Sequence, residues 1–258
     1  MTNQKIPWWQ EKYGFFGRFY IQGDDSKEGY LSGKKQNLEQ RTDAEVRGVI
    51  RLLNLRPNSE ILDIPCGYGR HSIGLAKKGF KVTGSDINFY HLEKAKVAAR
   101  KDRVKVRFIK ENMIDIKYDS EFDAVINMFF PFGFFDRDEN NLRVLKNFFK
   151  ALKPGGKFLM HTDVNIPRII NGKYKFNEIR TLKSGGKLKI TESYNTTTKR
   201  MNGSWILFDK NGDEERKDYS VRVYTKDEFV KLCKRVGFKS CEVYADWSGK
   251  LYNEKSED

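Results

Sequence analysis

The sequence predicts an α/β protein: a doubly wound, mostly parallel sheet carrying an inserted antiparallel β meander. Three observations predict it. Short apolar runs alternate with helix-period stretches from residue 42 to 164, the rhythm of a parallel βαβ sheet. A glycine turn, Cys66-Gly67-Tyr68-Gly69, joins the first apolar run to the helix behind it. At Asn165 the rhythm breaks, and runs alternating with period two follow as far as Tyr224. Four segments result: an aromatic N-terminal segment (1-41), a ligand-binding core (42-164), an inserted antiparallel sheet (165-224), and a helix and strand that complete the core (225-258).

Residues 1-41 hold Trp8, Trp9, Tyr13, Phe15, Phe16, Phe19, Tyr20 and Tyr30 without a clean period. They read either as a lid that covers a site and excludes water, or as a segment packed permanently on the domain. Tyr20 and Arg41 are its polar members of interest. Thr42-Asp43-Ala44-Glu45 has the capping-box pattern and starts a helix to about Leu55, with Val46, Val49, Ile50 and Leu53 on one face. Pro57 ends it. Ile61-Leu62-Asp63-Ile64 is a strand apolar enough to be buried on both faces. A helix from Arg70 to Lys78, stopped by Gly79, and a strand from Phe80 to Gly84 follow, with Asp86 at the tip.

Phe89 to Lys101 reads as a helix, Val104 to Ile109 as a strand, and Glu121 to Asn127 as the next strand. Asp138 to Leu152 is amphipathic through Leu142, Leu145, Phe148, Phe149 and Leu152. Lys153 to Lys157 reads as a turn and Lys157 to Thr162 as the fifth strand. In the insertion, Lys187 to Tyr194, Gly203 to Phe208 and Arg216 to Tyr224 are strands, and Lys210-Asn211-Gly212-Asp213 is a hairpin turn. Thr225 to Val236 is a last helix closed by Gly237, and Lys239 to Ala245 a last strand. The tail from Asn253 to Asp258 is polar.

The chemistry starts at the turn. Asp86 lies nineteen residues after Gly67, a spacing that brings an acid beside the glycine turn within reach of a ribose diol. The run Gly67-x-Gly69-x-x-Ser72 lacks the third glycine of a dinucleotide fingerprint, and bulky Arg70 and His71 follow it. The site therefore suits a nucleoside better than a pyrophosphate.

The run LDIPCGYGR, followed by VTGSD, resembles motif I and the post-I acid of class I S-adenosylmethionine-dependent methyltransferases. Pro65 stands where the family's LDxGxGxG pattern has its first glycine, so one backbone donor is lost there. The helix, LKPGG turn and strand up to Val164 resemble the same family. The resemblance implies a Rossmann-like seven-stranded sheet and S-adenosylmethionine as cofactor. It places Asp63, Cys66, Gly67, Gly69, Arg70, Asp86 and Ile87 against the cofactor, with Arg41 reaching in from the N-terminal segment. It also implies that Asn112, standing where an acid is usual, accepts from the adenine amino group, and that the Met113 backbone meets a ring nitrogen. Asp115 is the fallback acid or a plain loop residue. Asn127, at the end of the fourth strand, lines the place where cofactor and acceptor meet.

Methyl transfer is an in-line displacement that needs positioning and, for a protonated nucleophile, a base. His161, with Asp163 as orienter or second candidate and Tyr20 from the aromatic segment, fills that role. His71 reads as a packing or capping residue and His91 as a surface residue. Asn127-Met128-Phe129-Phe130 is not the N/D-P-P-Y/F run of amino-base methyltransferases, and no cysteine lies there for cytosine-C5 chemistry. Phe129, Phe130, Phe132, Phe134 and Phe135 suggest an apolar wall or ordinary packing. Three cysteines without paired spacing point to a reducing cytoplasm and no zinc site. No apolar run reaches the roughly 18 residues of a membrane span.

The net charge is +14, and residues 165 to 240 hold eighteen Lys/Arg against nine Asp/Glu. That excess is either a solvated lysine-rich surface or a surface for an anionic partner. The sequence therefore supports a small-molecule N- or O-methyltransferase, with an RNA or ribonucleoprotein methyltransferase as the alternative. A third reading is a non-catalytic nucleoside-binding regulator.

Overall fold

The computed structural model describes residues 16–17, 20–21, 37–129, 132–162, 165–174 and 177–253. Of the N-terminal lid only residues 16–17, 20–21 and 37–41 are described, Tyr20 and Arg41 among them, and the rest lies outside the described residues. So do Asp163, Phe130 and the tail beyond Asn253. Two compact units divide the chain: one within 42–167 and 224–258, the other formed by 168–223 with residues up to 41.

The first unit contains a five-stranded, wholly parallel sheet in the order β3-β2-β1-β4-β5. Its strands are β1 (Glu60–Asp63), β2 (Lys81–Asp86), β3 (Arg107–Lys110), β4 (Phe122–Asn127) and β5 (Leu152–Met160). Helix α1 (Leu38–Leu53) precedes β1, α2 (Arg70–Lys77) and α3 (Phe89–Lys101) link β1 to β2 and β2 to β3, and α4 (Asp138–Ala151) links β4 to β5, while β3 passes to β4 by a loop. The chain runs outward from β1 to β3, then returns to build β4 and β5 on the other side of β1. The strand order thus reverses between β1 and β4, the point where such sheets open a crevice beyond their C-terminal ends. Leu62, Val125, Phe148 and Leu145 form the core on one side of the sheet; Ile61, Ala124, Leu75 and Val49 form it on the other. The central strands can be apolar throughout because both faces are covered.

The family's seven-stranded sheet is not what the described residues form. Lys239 to Ala245 is no strand: the segment folds back on itself, with Ala245 N–H donating to the Lys250 carbonyl at 2.8 Å and Tyr252 N–H to the Val243 carbonyl at 2.8 Å. Among the described residues its one β-bridge joins Tyr244 to Leu251. Lys153 to Lys157 is likewise not a separate turn. It is an irregular start of β5, where the register against β4 slips between Phe122 and Ala124.

The start of α1 also differs from expectation. Asn37 and Gln40 cap it reciprocally, with Gln40 N–H donating to Asn37 Oδ1 at 2.8 Å and Asn37 N–H to Gln40 Oε1 at 3.1 Å. Thr42 and Glu45 sit inside the helix, released from capping. The last helix of the unit, α6 (Lys226–Val236), does have its capping box between Thr225 and Glu228. A short helix, α5 (Ile166–Ile170), precedes the second unit.

The second unit holds a four-stranded antiparallel meander, one strand more than the alternation predicts: β6 (Asn177–Thr181), β7 (Lys187–Asn195), β8 (Arg200–Phe208) and β9 (Glu214–Arg222). The predicted turn at Asn211-Gly212 closes β8 onto β9, with Gly212 at φ +89°. Leu188, Ile190, Trp205 and Leu207 alternate onto one face and form a core with Leu182. Tyr20 joins that core, stacked on Trp205 at 6.2 Å and 11°.

Candidate active site

Asp63 ends β1 and Asp86 ends β2, and the glycine turn lies between them. Gly67 and Gly69 have φ of +54° and +82°, the left-handed region that favours glycine. At Gly69 a Cβ would lie 2.7 Å from Ala95 Cβ and 3.1 Å from the Phe108 ring, so helix α3 and strand β3 close in behind the turn. At Gly67 the nearest atom to such a Cβ is His91 Nδ1, 4.0 Å away. One glycine allows packing and the other leaves room.

Asp86 is 6 % exposed and holds the turn: Gly67 N–H donates to Oδ2 at 2.8 Å and Asn88 N–H to Oδ1 at 2.7 Å. Burial pushes its carboxyl up to about 6, opposed by these two donors and by the Ile87 backbone N–H. Asp63 is fully buried. Its Oδ2 accepts from the Ser72 hydroxyl at 2.5 Å, and its Oδ1 has no partner among the described residues. Burial, and to a lesser extent the neighbouring Asp86, raise it to about 7, opposed by Ser72 and Arg70. Cys66 N–H donates to the Ser85 carbonyl at 2.9 Å, and its thiol, pushed up by burial, faces the Gly67 carbonyl at 3.6 Å.

Asn127 ends β4 next to β1. Its Nδ2 donates to the Ile64 carbonyl at 2.7 Å, and its Oδ1 is a second buried acceptor without a partner among the described residues. Two unpaired buried acceptors at the ends of adjacent strands are costly unless a ligand donates to them. Asn112 follows β3; its Oδ1 accepts from Ile114 N–H at 3.3 Å, and its carbonyl from Asp115 N–H at 2.8 Å. Its side chain is thus fixed by the loop, with the amide nitrogen and one lone pair left over. The Met113 carbonyl is held by Asn147 at 3.3 Å. Asp115 is an exposed loop residue paired with Arg143 at 3.2 Å.

Beside the turn lies a second cluster. Glu45, released from capping and only 2 % exposed, is shared by Arg70 and His71, with His71 Nε2 at 2.9 Å. Arg70 also donates to Thr42 Oγ1 at 2.9 Å. Its guanidinium lies 4.3 Å from the centroid of Phe129, and His71 stacks on the same ring at 5.5 Å and 26°. Phe129 has φ +67°, an outlier for a bulky residue, held there by these contacts. His161 continues the ladder from β5, donating its N–H to the Asn127 carbonyl at 2.9 Å, and its ring meets Phe129 at 5.0 Å and Trp247 at 4.8 Å.

Sequence reasoning placed the turn, Asp63, Asp86, Asn127 and His161 in the first unit, where the fold brings them to the ends of β1, β2, β4 and β5. Tyr20 belongs to the second unit, and Arg41 lies on the first turn of α1. His91 is a correction: it is 2 % exposed, not a surface residue, because its helix start is capped by Asn88 and its ring turns inward against Tyr68. Glu45 and Trp247 were missed. Glu45 hid behind a capping pattern. Trp247 left one signal, Gly48 in the middle of a helix.

The methyltransferase domain family matches residues 61–156. A protein of Geobacillus sp. (strain WCH70) named "putative methyltransferase" is 26 % identical over 204 residues, covering 76 % of this chain and 81 % of its own. Among solved structures, an S-adenosylmethionine-dependent methyltransferase from Clostridium acetobutylicum superimposes with a TM-score of 0.73 at 16 % identity, over 92 % of this chain and 94 % of its own. A Micromonospora echinaspora amino pentose methyltransferase, solved with S-adenosylmethionine bound, does so with 0.63 at 22 % identity, over 85 % and 91 %. Motif I and its following acid, at the ends of β1 and β2, both lie inside the segment that matches the methyltransferase domain family, and the solved methyltransferases share the fold.

Proposed function

We propose that this chain binds S-adenosylmethionine at the glycine turn and moves its methyl group to a nitrogen or oxygen of a small molecule. The observation that carries the cofactor is Asp86, buried at the tip of β2, fixed by two backbone donors and still holding lone pairs for a ribose diol. The unpartnered Oδ1 atoms of Asp63 and Asn127 suit the ammonium of the methionyl part. Asn112 and the Met113 backbone take the adenine edge, and Cys66, Gly67, Gly69, Arg70, Ile87 and Arg41 complete the shell. When bound, the cofactor supplies an electrophilic methyl group on a sulfonium.

The chain's own part is positioning. His161, at the end of β5, takes the proton that an amine or hydroxyl acceptor loses, with Asp163 as a further candidate. Phe129 supplies apolar cover that keeps water from the reacting atoms, whereas Phe132 is core packing against Tyr224 and Phe229. A small-molecule acceptor is supported by the amino pentose methyltransferase among the structural neighbours. The three free thiols suit a reducing cytoplasm. The nucleic-acid alternative draws less support. On one face of the meander Lys187, Lys189 and Arg216 are interleaved with Glu214 and Asp218, so the positive charge is partly offset where it is exposed. Among the described residues no helix is long and apolar enough to cross a membrane.

Calorimetry with S-adenosylhomocysteine tests the reading. Asp86→Ala should weaken binding by about 10- to 100-fold, the worth of hydrogen bonds to a charged group. Unchanged affinity would remove the cofactor assignment. Radiolabelled methyl transfer into a small-molecule extract, against the same assay with total RNA, separates the acceptor classes. Binding without either product would leave the non-catalytic regulator standing.

A further inference from the structure

The C-terminal segment of the first unit ends in a tight hairpin between Val243 and Tyr252. Asp246 closes its tip, accepting from Ser248 N–H at 2.7 Å and from the Ser248 hydroxyl at 2.5 Å, and Gly249 turns the chain at φ +91°. The residue at the tip is Trp247. Its indole fills a slot on α1 that exists only because residue 48 is glycine: a Cβ there would lie 2.4 Å from the indole Cε3. Glycine in a helix interior weakens the helix, so its presence at the one position under an indole is informative. Arg51, one turn further along α1, donates to the Trp247 carbonyl at 3.2 Å and fixes the tip from the same side.

The indole also meets the His161 imidazole, with ring centroids 4.8 Å apart and planes at 32°. Phe129 closes on the same imidazole edge-to-face at 5.0 Å and 74°. His161 is therefore gripped by one ring from the β4 end and one from a hairpin that nothing else in the site explains. We propose that Trp247 is the positioning residue of His161: it sets the imidazole's orientation and stabilises the imidazolium formed when His161 takes the acceptor's proton. This rests on His161 being the base. The charged groups near the pair act through its neighbours. Arg70 lies over the Phe129 ring, His71 stacks on that ring, Glu45 stands between those two, and Arg51 and Asp246 sit at the Trp247 backbone and the hairpin turn. Arg70, a cation on the far contact of Phe129, disfavours a charged His161; the indole face opposes it.

The test is an NMR titration of the Cε1–H resonances of the three histidines, assigned with His161→Asn, in the intact protein. Trp247→Leu keeps the slot apolar and removes the π face. It should abolish the ring-current shift of the His161 resonance and lower its titration midpoint by about half a pH unit or more. Trp247→Phe should recover most of both, while His71, His91 and the affinity for S-adenosylhomocysteine stay as in the wild type. Should Trp247→Leu fail to fold, Gly48→Ala reads the same coupling, since its added methyl displaces the indole and should move the His161 resonance in the same direction. A His161 resonance and midpoint unmoved in a folded variant overturn the proposal. Methyl transfer at the normal rate by His161→Asn overturns it differently, because the base itself would then be wrong even if the ring contact is confirmed.

Discussion

Asp86 shows how a single buried carboxylate can act as a pH gate. Two of its lone pairs are taken by Gly67 and Asn88, so the remaining ones are aimed, not free to rotate. Burial pushes its carboxyl up to about 6. Accepting from two hydroxyls at once requires the ionised form, because a protonated carboxyl presents a donor where an acceptor is needed. The sign follows from linkage: the ligand binds the deprotonated state, so this group's contribution to affinity is constant above about pH 7 and falls as pH drops through 6, while Asp63, raised to about 7, adds a loss that begins at higher pH. The expected loss is up to about tenfold per pH unit from this group alone. Calorimetry with S-adenosylhomocysteine between pH 8 and pH 5 would show it. Asp86→Ala, with no proton to gain there, should be weaker and less pH-dependent, and a flat wild-type profile would contradict this account.

The elements around the turn were legible in different degrees, for physical reasons. The β1–turn–α2–β2 unit is written in contiguous sequence: apolar strand, glycines, helical period, acid at the next strand tip. Local sequence was enough, because each local choice agrees with the fold. Capping boxes show where this stops. Thr225 and Glu228 form one, and Thr42 and Glu45 do not, although both have the same spacing. What differs is long-range: Arg70, 25 residues along the chain, claims Glu45 and also binds Thr42. Trp247 was illegible for the same reason, its partner Arg51 being 196 residues away. The last strand failed because its segment finds hydrogen bonds within its own hairpin. Glu45 also makes a prediction at this scale. It is the shared counter-charge that joins α1 to α2, and Glu45→Ala would leave the largely buried Arg70 without it. The expected cost is about 3–5 kcal/mol, the penalty for stranding a buried charge, with Glu45→Gln losing less because it keeps an acceptor. Urea denaturation of both variants would measure this, and a Glu45→Gln variant as stable as the wild type would mean that packing, not charge, holds the two helices together.

Stability belongs to the whole molecule, and here the binding site works against it. Asp63 and Asp86 both have folded pKa values above the ordinary carboxylate value of 3.8, at about 7 and about 6. Below about pH 4 both are protonated folded or unfolded, and neither costs anything. As pH rises, the unfolded chain ionises first, so the ligand-free protein loses stability through the range from about 4 to 7. The loss is on the order of 3 kcal/mol for Asp86 alone. Asp63 allows a clean measurement. Asn in its place can still accept from the Ser72 hydroxyl, and its amide nitrogen would occupy the side where Asp63 Oδ1 has no partner. At pH 4 a protonated Asp63 and an Asn have nearly the same shape and no charge, so Asp63→Asn should change stability little. At pH 8 the wild type carries a buried charge that the variant lacks, and the variant should be more stable by about 1–3 kcal/mol, the charge penalty less the cost of a buried, unpaired amide. The same substitution removes the charge proposed to face the cofactor's ammonium, so affinity for S-adenosylhomocysteine should fall as stability rises. Thermal unfolding at pH 4 and pH 8, with and without that ligand, reads both effects. A variant less stable than the wild type at pH 8 would show that the ionised Asp63 is satisfied within the protein and is not held ready for a ligand.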